Sequence, residues 1–157
     1  MQLERSLSYA RGYLGLGMVN EAAVELDRIA LGDRNRPEVV ALRMAVLQAQ
    51  KDWPALLEVA RDFVSLKPGS AAGWITWAYA ARRASSLAEA ENILLAAERH
   101  HPDEPTIQFN LGCYACQRGQ LAEARRRVDR AIALEPKFGE AAATDPDLAP
   151  LRDACKP

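Results

Sequence analysis

The feature that most constrains this chain is a periodicity of 34 residues that runs through most of its length. One slot takes an apolar residue in every period: Ala22, Leu56, Ala90 and Ala124. The slots that hold Gly112, Leu121 and Ala131 in the last period also keep this register, and no insertion interrupts it. A fixed period of this length predicts a stack of similar supersecondary units, because each unit buries its apolar face only against its neighbours.

The last period, residues 105–138, carries the pattern most completely. Its marked slots are Leu111, Gly112, Ala115, Gly119, Leu121, Ala124, Val128, Ala131 and Pro136. This series resembles the helix-turn-helix unit of the tetratricopeptide repeat (TPR), in which large residues, small residues and a proline occupy fixed slots. The resemblance implies an all-α, TPR-type α-solenoid, a right-handed superhelix of antiparallel helix pairs. Its repeats are expected at 3–36, 37–70, 71–104 and 105–138, with a C-terminal capping segment over 139–157.

Turn and capping signals predict two helices in each repeat. They are expected near residues 3–16, 20–31, 37–50, 53–66, 71–84, 87–100, 105–118 and 121–134. A polar linker follows the second helix over residues 32–36. In the tail, Asp145 can cap a short helix. Leu148 and Leu151, three residues apart on that helix, are then expected to cover the open side of repeat four.

The small residues of the pattern are expected where the two helices of a repeat cross closely. Ala124 marks this crossing in repeat four, whereas Ala122 lies on a more exposed side. Repeat two departs from the pattern, with Met44, Leu56 and Phe63 at small slots and Ala60 at a large one. This departure predicts an exchange of sizes that conserves the volume of the core, which is the change that cores tolerate best.

The composition argues against a membrane or nucleic-acid partner. The net charge is -1, so no overall positive field would attract polyanions. No apolar run is long enough to span a membrane, and the charged first residues do not resemble a secretory signal. A cytoplasmic location is therefore expected, and the excess of arginine over lysine favours a bacterial source.

Two groups of residues could carry chemistry. Cys113 and Cys116 share a face of a predicted helix, so their sulfurs could meet a metal ion or each other. A zinc site needs about four ligands, and a thioredoxin-like pair needs a strand before its helix, so a core role as small apolar residues is favoured. The basic run, Arg125 to Arg127 with Arg130, is expected to be a solvated convex face, because nucleic-acid sites interleave aromatic residues. The chain is not expected to be an enzyme or to hold a cofactor or metal.

The resemblance implies that the first helix of each repeat lines a concave groove that takes peptides or helices. The candidate partner-binding residues on these helices are Leu7, Arg11, Ile75, Tyr79, Arg82, Phe109, Asn110 and Cys113. Ile75, Tyr79 and Phe109 are the expected apolar anchors, because aromatic residues supply large contact areas. Arg11 and Arg82 are expected to pair with an acidic or C-terminal group of the ligand.

The function expected from this groove is that of an adaptor or scaffold that docks a segment of another protein. The lysine and asparagine clamp of heat-shock TPR cofactors is missing, since only Asn110 resembles one of its members. A small chaperone of the secretion type and a self-associating structural protein remain as alternatives. Self-association as a homo-oligomer would use the N-terminal repeat, which has no evident cap before Leu3.

Overall fold

The computed structural model describes residues 1–156, and all the regular elements in that range are helical. The helices are α1 Gln2–Gly15, α2 Val19–Asp27, α3 Pro37–Gln50, α4 Trp53–Leu66, α5 Ala71–Ala84, α6 Leu87–His100, α7 Pro105–Gln117, α8 Leu121–Leu134, α9 Phe138–Thr144 and α10 Ala149–Asp153. Two 3₁₀ turns, Leu31–Asp33 and Pro146–Leu148, accompany them. The predicted all-α architecture is confirmed.

The chain forms two compact units. The first, Met1–Ser85, contains α1 to α5, and the second begins at Ser86 and contains α6 to α10. This boundary falls between the two helices of the third predicted repeat. The bounds assigned to the repeats therefore stay a prediction, while the helices that compose them are observed.

The second helix is the one that differs most from its predicted range. It ends at Asp27, and a 3₁₀ turn lies within the expected polar linker. The side chain of Arg34 donates hydrogen bonds to the carbonyl oxygens of Asp27 (2.7 Å) and Ile29 (2.9 Å). Carbonyls at the end of a helix need partners from outside it, so a side chain from the linker stabilises the early end of α2.

Three of the four turns inside the predicted helix pairs share a left-handed residue, and Ser85 in the third pair, with φ -132°, is the exception. Gly17, Lys51 and Gly119, which occupy the same slot of the period, all have a positive φ. Glycine adopts this left-handed conformation without steric cost, whereas Lys51 does so at some cost. The residue after Lys51, Asp52, accepts a hydrogen bond from the backbone N–H of Ala55 at 3.2 Å and caps α4.

Helices α7 and α8 of the second unit come together at small residues. A Cβ atom added at Gly112 would lie 2.8 Å from Cγ2 of Val128 and 3.3 Å from the carbonyl oxygen of Ala124. Ala124 itself is completely buried. Any side chain at Gly112 would push α8 away, so the predicted crossing at the small slots is confirmed for this pair.

Helices α4 and α5 of the first unit show how the exchange of sizes in repeat two is accommodated. Phe63 fills a slot that holds alanine in repeats three and four, and it is buried. A Cβ atom added at Gly73 would lie 2.8 Å from Cδ1 of Phe63. The missing side chain of Gly73 on α5 therefore provides the room that the phenyl ring on α4 occupies.

The C-terminal segment packs on the second unit as the sequence indicates. Leu148 is completely buried and Leu151 nearly so, where the 3₁₀ turn and α10 lie against α7 and α8. Asp145 caps the 3₁₀ turn by accepting from the N–H of Asp147 at 2.8 Å. Gln117 of α7 donates to the carbonyl oxygen of Asp147 at 2.8 Å and ties the segment down. These contacts support the predicted capping role, which a stability measurement can test.

The first prediction concerns the crossing of α7 and α8. Replacing Ala124 with leucine should lower the free energy of unfolding by about 1–3 kcal/mol, because the added carbons overpack a site with no free volume. The same replacement at exposed Ala122 should change it by less than about 0.5 kcal/mol. Urea denaturation of both variants would measure this difference, and equal losses would contradict the assigned crossing.

The second prediction concerns the C-terminal segment. Replacing Leu148 with alanine should lower the free energy of unfolding by about 2–5 kcal/mol, the usual cost of emptying a closed apolar site. Detachment of the segment would also expose apolar surface on α7 and α8, so sedimentation velocity should show self-association. Exposed Asp153, replaced with alanine, is the control. An unchanged Leu148→Ala protein would show that this segment is not a cap.

Candidate functional site

An open cleft of about 830 Å³ lies in the first unit. Its lining residues are Leu14, Ala45, Gln48, Ala49, Lys51, Trp53, Tyr79 and Arg83. They come from the C-terminal halves of α1, α3 and α5 and from the turn that leads into α4. We call this feature the α1–α3–α5 cleft. Of the candidate partner-binding residues that the sequence indicates, Tyr79 belongs to its lining.

The cleft is built from equivalent slots of successive periods. Gln48 follows Leu14, and Tyr79 follows Ala45, by one period of the sequence. Because the first helices repeat with the same register, equivalent slots come to line one surface. The small side chain of Ala45 leaves open space beside the large ring of Tyr79, so the repeat geometry creates the cleft and side-chain size deepens it.

An arginine stacked on two aromatic rings is the most distinctive part of the cleft. The rings of Trp53 and Tyr79 meet edge to face, with centroids 5.6 Å apart and an angle of 71°. The guanidinium carbon of Arg83 lies 4.3 Å from the centroid of Tyr79 and 5.0 Å from that of Trp53. Tyr79 and Arg83 are four residues apart on α5 and therefore share a face of the helix. These contacts hold a cation against an aromatic wall.

The lining of the cleft is positively charged. Lys51 and Arg83 belong to it, and no aspartate or glutamate does. Within residues 1–156, neither of these two cations forms an ion pair with a carboxylate. Asp52, the nearest acid in the sequence, uses its carboxylate to cap α4. The cleft thus combines uncompensated positive charge with apolar and aromatic surface.

A second, smaller cleft of about 220 Å³ continues this surface between α3 and α5. It shares Ala45 and Gln48 with the α1–α3–α5 cleft, and Met44 and Thr76 are among its other lining residues. The two clefts follow neighbouring turns of the same helices. An extended segment could therefore contact both, which a small compact ligand would not do.

The sequence-predicted site residues of the first unit have different environments. Arg11 and Tyr79 are exposed, and Ile75 and Arg82 are partly buried. Leu7 is buried in the core formed by α1, α2 and α3. Of these five residues, Tyr79 alone lines the α1–α3–α5 cleft.

The predicted site residues of the second unit are mostly covered. Phe109 and Cys113 are buried, and Asn110 is partly buried. The ring of Phe109 packs against that of Phe138 in α9, with centroids 5.0 Å apart. Burial leaves Phe109 and Cys113 little surface for a partner, because the segment that follows the last repeat folds back onto α7.

Among the lining residues that the sequence does not indicate are Lys51, Trp53 and Arg83. Trp53 occupies a slot that holds valine or leucine in the other periods, and a tryptophan there is unusual. The signal that could have found Arg83 is its spacing of four residues from Tyr79, which predicts a shared helix face. Lys51 stands in a turn slot that otherwise holds glycine or serine, and the contribution of turns to a groove is not visible from helix periodicity.

The basic run of α8 is only in part the solvated face that the sequence predicts, because Arg125, Arg126 and Arg130 are exposed but Arg127 is not. Arg127 is only 8% exposed. Its guanidinium donates to Glu98 of α6, to Gln108 of α7 at 3.0 Å and to Glu123 of α8 at 2.7 Å. The prediction is wrong at Arg127 because the side chain joins three helices of the second unit, a contact that the spacing along α8 does not reveal.

The remaining arginines of the run also have partners within the second unit. Arg126 pairs with Glu123 at 2.7 Å, and Arg130 pairs with Asp103 at 2.7 Å. Arg125 contacts the sulfur of Cys155. Paired charges of this kind leave little net positive field on α8, which weakens the case for a nucleic-acid interface there.

The carboxylates of this network have shifted pKa values. Burial raises the pKa of Glu98, but hydrogen bonds from Arg127 and Gln108 and the charge of Arg127 hold it below its usual range. The hydrogen bond from Arg126 lowers the pKa of Glu123 to about 2, against the effect of burial and with the help of Arg127. Both carboxylates are therefore ionised at neutral pH and neutralise the arginines beside them.

The cysteines lie in two different environments. Cys113 and Cys116 are both buried on α7, and Cys155 is exposed after α10. Over residues 1–156, no group of three or more histidine, cysteine, aspartate or glutamate side chains is placed to hold a metal ion. In the same range, no helix is both long and apolar enough to cross a membrane.

Comparison with known proteins gives structural matches only. No protein-family model matches the chain, and no curated protein does. A MamA fragment from Desulfovibrio magneticus RS-1 superposes with a TM-score of 0.75 and 18% identity, over 97% of this chain and 90% of that chain. YrrB, described as a TPR protein with an unusual peptide-binding site, superposes with a TM-score of 0.72 and 16% identity, over 85% of this chain and 70% of that chain. The first TPR of Spaghetti (RPAP3), bound to the HSP90 peptide SRMEEVD, superposes with a TM-score of 0.59 and 18% identity, over 71% of this chain and 97% of that chain.

These likenesses confirm the predicted fold, because proteins described as TPR structures superpose on most of this chain. At these identities they show the fold alone. The site must therefore be argued from the side chains of this protein, which differ from those of its structural neighbours at most positions.

The third prediction concerns pH. Because the pKa of Glu123 falls from 4.5 to about 2 on folding, folding favours the ionised carboxylate. The contribution of the ionised Glu123 carboxylate to the free energy of unfolding is complete above pH 4.5 and is lost as the pH falls through about 2. The difference in free energy of unfolding between the wild type and Glu123→Gln should therefore shrink over this window. Urea denaturation at several pH values would measure it.

Arg126→Gln provides the companion variant for this measurement. It removes the hydrogen bond that lowers the pKa of Glu123 most, so the acid loss of stability should begin at a higher pH. A difference between wild type and Glu123→Gln that stays constant from neutral pH to pH 2 would contradict the assigned ionisation.

Proposed function

We propose that this chain is a protein-interaction module that binds a segment of a partner protein in the α1–α3–α5 cleft. The observation that carries the proposal is the composition of the cleft, where Trp53, Tyr79 and Arg83 meet beside small apolar residues. Tryptophan, tyrosine and arginine are the residues most enriched where binding energy concentrates in interfaces. No equivalent cluster of catalytic groups accompanies them in the cleft, so binding is the activity that the lining supports best.

The dimensions of the cleft suit a peptide segment. Its volume of about 830 Å³ falls within the range of about 300–1,000 Å³ that is typical of ligand sites. The cleft is open to solvent and continues into the smaller cleft between α3 and α5. Such an elongated surface favours a chain segment, whether extended or helical, over a compact small molecule.

The structural neighbours support this proposal. One is described as having a peptide-binding site, and another is bound to a peptide. The shared fold is thus one on which peptide binding occurs. The side chains that would recognise a partner are its own.

The expected anchors are revised by the geometry. Tyr79 becomes the central one, and Ile75, one turn earlier on α5, lies on the same helix face. Arg11 and Arg82 stay candidates for secondary contacts, and Asn110 stays a candidate in the second unit. Leu7, Phe109 and Cys113 support the helices from within the core, where they are buried.

A protein partner is favoured over nucleic acid, because ion pairs such as Arg126–Glu123 and Arg130–Asp103 neutralise the basic run. The composition favours a cytoplasmic protein of bacterial origin. Self-association is a second candidate, and a specific observation favours it. Leu16, Val24 and Leu31 of the N-terminal helix pair and its following turn are strongly exposed. A homo-oligomer could cover such apolar side chains.

The fourth prediction tests the cleft with a phage-displayed library of random linear peptides, selected on the whole chain. Replacing Tyr79 with alanine should weaken the binding of the selected peptides by more than about 1 kcal/mol, roughly a fivefold increase in Kd, because a central aromatic contact is lost. Isothermal titration calorimetry would measure the change. Selected peptides that bind the Tyr79→Ala protein as well as the wild type would contradict the site.

Tyr9 offers a matched control for this test. It is an exposed tyrosine on α1 that stacks with Arg5 at 5.4 Å, and it does not line the cleft. Tyr9→Ala should leave peptide affinity unchanged. Sedimentation velocity on the same samples would address the alternative, since dimers that form without peptide would favour self-association through the N-terminal helices.

A further inference from the structure

We infer that Arg83 is the specificity-determining residue of the α1–α3–α5 cleft and recognises the carboxylate of an aspartate or glutamate side chain in the bound segment. An apolar residue beside that acid would occupy the cleft next to Ala45 and Ala49. This inference rests on the proposed function and goes further by fixing the chemistry of the ligand.

The aromatic contacts of Arg83 leave its hydrogen-bond donors unused. A guanidinium group is planar, and its N–H donors lie in that plane. The contacts of Arg83 with the rings of Tyr79 and Trp53, at 4.3 and 5.0 Å, are made with the ring systems and not with oxygen acceptors. Over residues 1–156, no oxygen atom accepts a hydrogen bond from Arg83, so the donors of the guanidinium are available for a planar acceptor. A carboxylate matches this fork with two parallel hydrogen bonds.

Other arginines of the chain have a carboxylate partner that Arg83 does not have. Arg28, Arg61 and Arg126 each pair with a glutamate three residues earlier, at 2.5, 2.7 and 2.7 Å. The position three residues before Arg83 holds Ala80, and the position four before it holds Tyr79. The nearest partner of Arg83 on its own helix is therefore an aromatic ring and not a carboxylate. The charge of Arg83 is not neutralised by a neighbour on that helix.

The charge of the cleft as a whole also favours an acidic segment. Lys51 adds a second positive charge to the lining, and no carboxylate belongs to it. Complementary charge steers an acidic segment toward the cleft and rejects a basic one. Because the two aromatic rings already restrict the arginine side chain, less conformational entropy is lost when the carboxylate binds.

The apolar neighbour of the acid has its own place in the cleft. Leu14, Ala45 and Ala49 line the cleft beside the cluster and present no charge. A pair of exposed charges alone contributes little to affinity. The ligand therefore needs an apolar side chain against these residues, so the recognised pattern is an acid beside a large apolar residue.

The fifth prediction uses the same peptide library, selected separately on the wild type and on Arg83→Glu. Peptides from the wild type should be enriched in aspartate or glutamate next to a large apolar residue. Those from Arg83→Glu should lose this enrichment and favour lysine or arginine at the same place. For one acidic peptide, Arg83→Glu should weaken binding about tenfold, and exchanging the acid for lysine should restore much of the loss.

Two further variants separate recognition from general electrostatics. Arg5→Glu is the matched control, because Arg5 stacks on Tyr9 outside the cleft and its change alters the net charge equally. It should affect affinity less than about twofold. Arg83→Lys keeps the charge but loses the planar fork, so it should bind the acidic peptide several times more weakly than the wild type. Circular dichroism of each variant checks that the helices are retained.

The outcomes distinguish this inference from the proposed function. Selected peptides that depend on Tyr79 but carry no excess of acid, or that bind Arg83→Glu unchanged, would overturn the role of Arg83 and leave the cleft as the binding site. Equal losses of peptide affinity in Arg5→Glu and Arg83→Glu would show that only the net charge of the protein matters. That result would also overturn the specific role of Arg83. Failure to select any peptide would overturn both.

Discussion

The close approach of neighbouring helices at residues with little or no side chain is the constraint on which this structure depends. In the second unit, the missing side chain of Gly112 lets α7 meet the backbone of α8 near Ala124. In the first unit, Gly73 gives α5 room for the ring of Phe63 on α4. The short distance between helices then lets aliphatic side chains on either side bury completely, since dense packing is what makes such contacts favourable.

This constraint also explains why the cleft forms where it does. When the residues on one face of each helix are used for close packing, the residues one turn away are left at the surface. In α3 and α5 these include Ala45 and Tyr79, which differ greatly in size although they occupy equivalent slots. A regular backbone with irregular side-chain sizes has hollows. The functional surface is thus a consequence of the same periodicity that builds the core.

Much of the fold could be predicted from the sequence because its signals are local. Asp52 caps α4, and the turn glycines Gly17 and Gly119 have the positive φ that favours glycine, so helix starts and turns follow from a few neighbouring residues. The early end of α2 could not be predicted in this way, because the hydrogen bonds that stabilise it come from Arg34 in the following linker. Local signals fix most helix ends, and side chains from outside the helix decide the rest.

The candidate site could be predicted only in outline. Periodicity indicates which helix faces line a groove, and Tyr79 is in the predicted place. The ring of Phe109 packs against Phe138, the residue that ends the last predicted repeat and begins α9. The stacking of Arg83 depends on Trp53, which reaches the cleft from the start of another helix. Contacts between residues distant in sequence decide which members of a predicted face are accessible.

Two arginines show how far such contacts change the role of one residue type. Arg127 stands in a run of basic residues, which suggests an exposed charge, yet Glu98 and Glu123 neutralise it within the helical core. Burying a charge is costly unless its partners are close and hydrogen-bonded, so this arginine is committed to structure. Arg83 lies near the end of α5, where the ring of Tyr79 takes the place of a carboxylate partner. Stacking stabilises a guanidinium without consuming its hydrogen-bond donors. The sequence neighbours of an arginine are thus a poor guide to its role, whereas the nature of its nearest partner, carboxylate or aromatic ring, decides whether its charge is available for recognition.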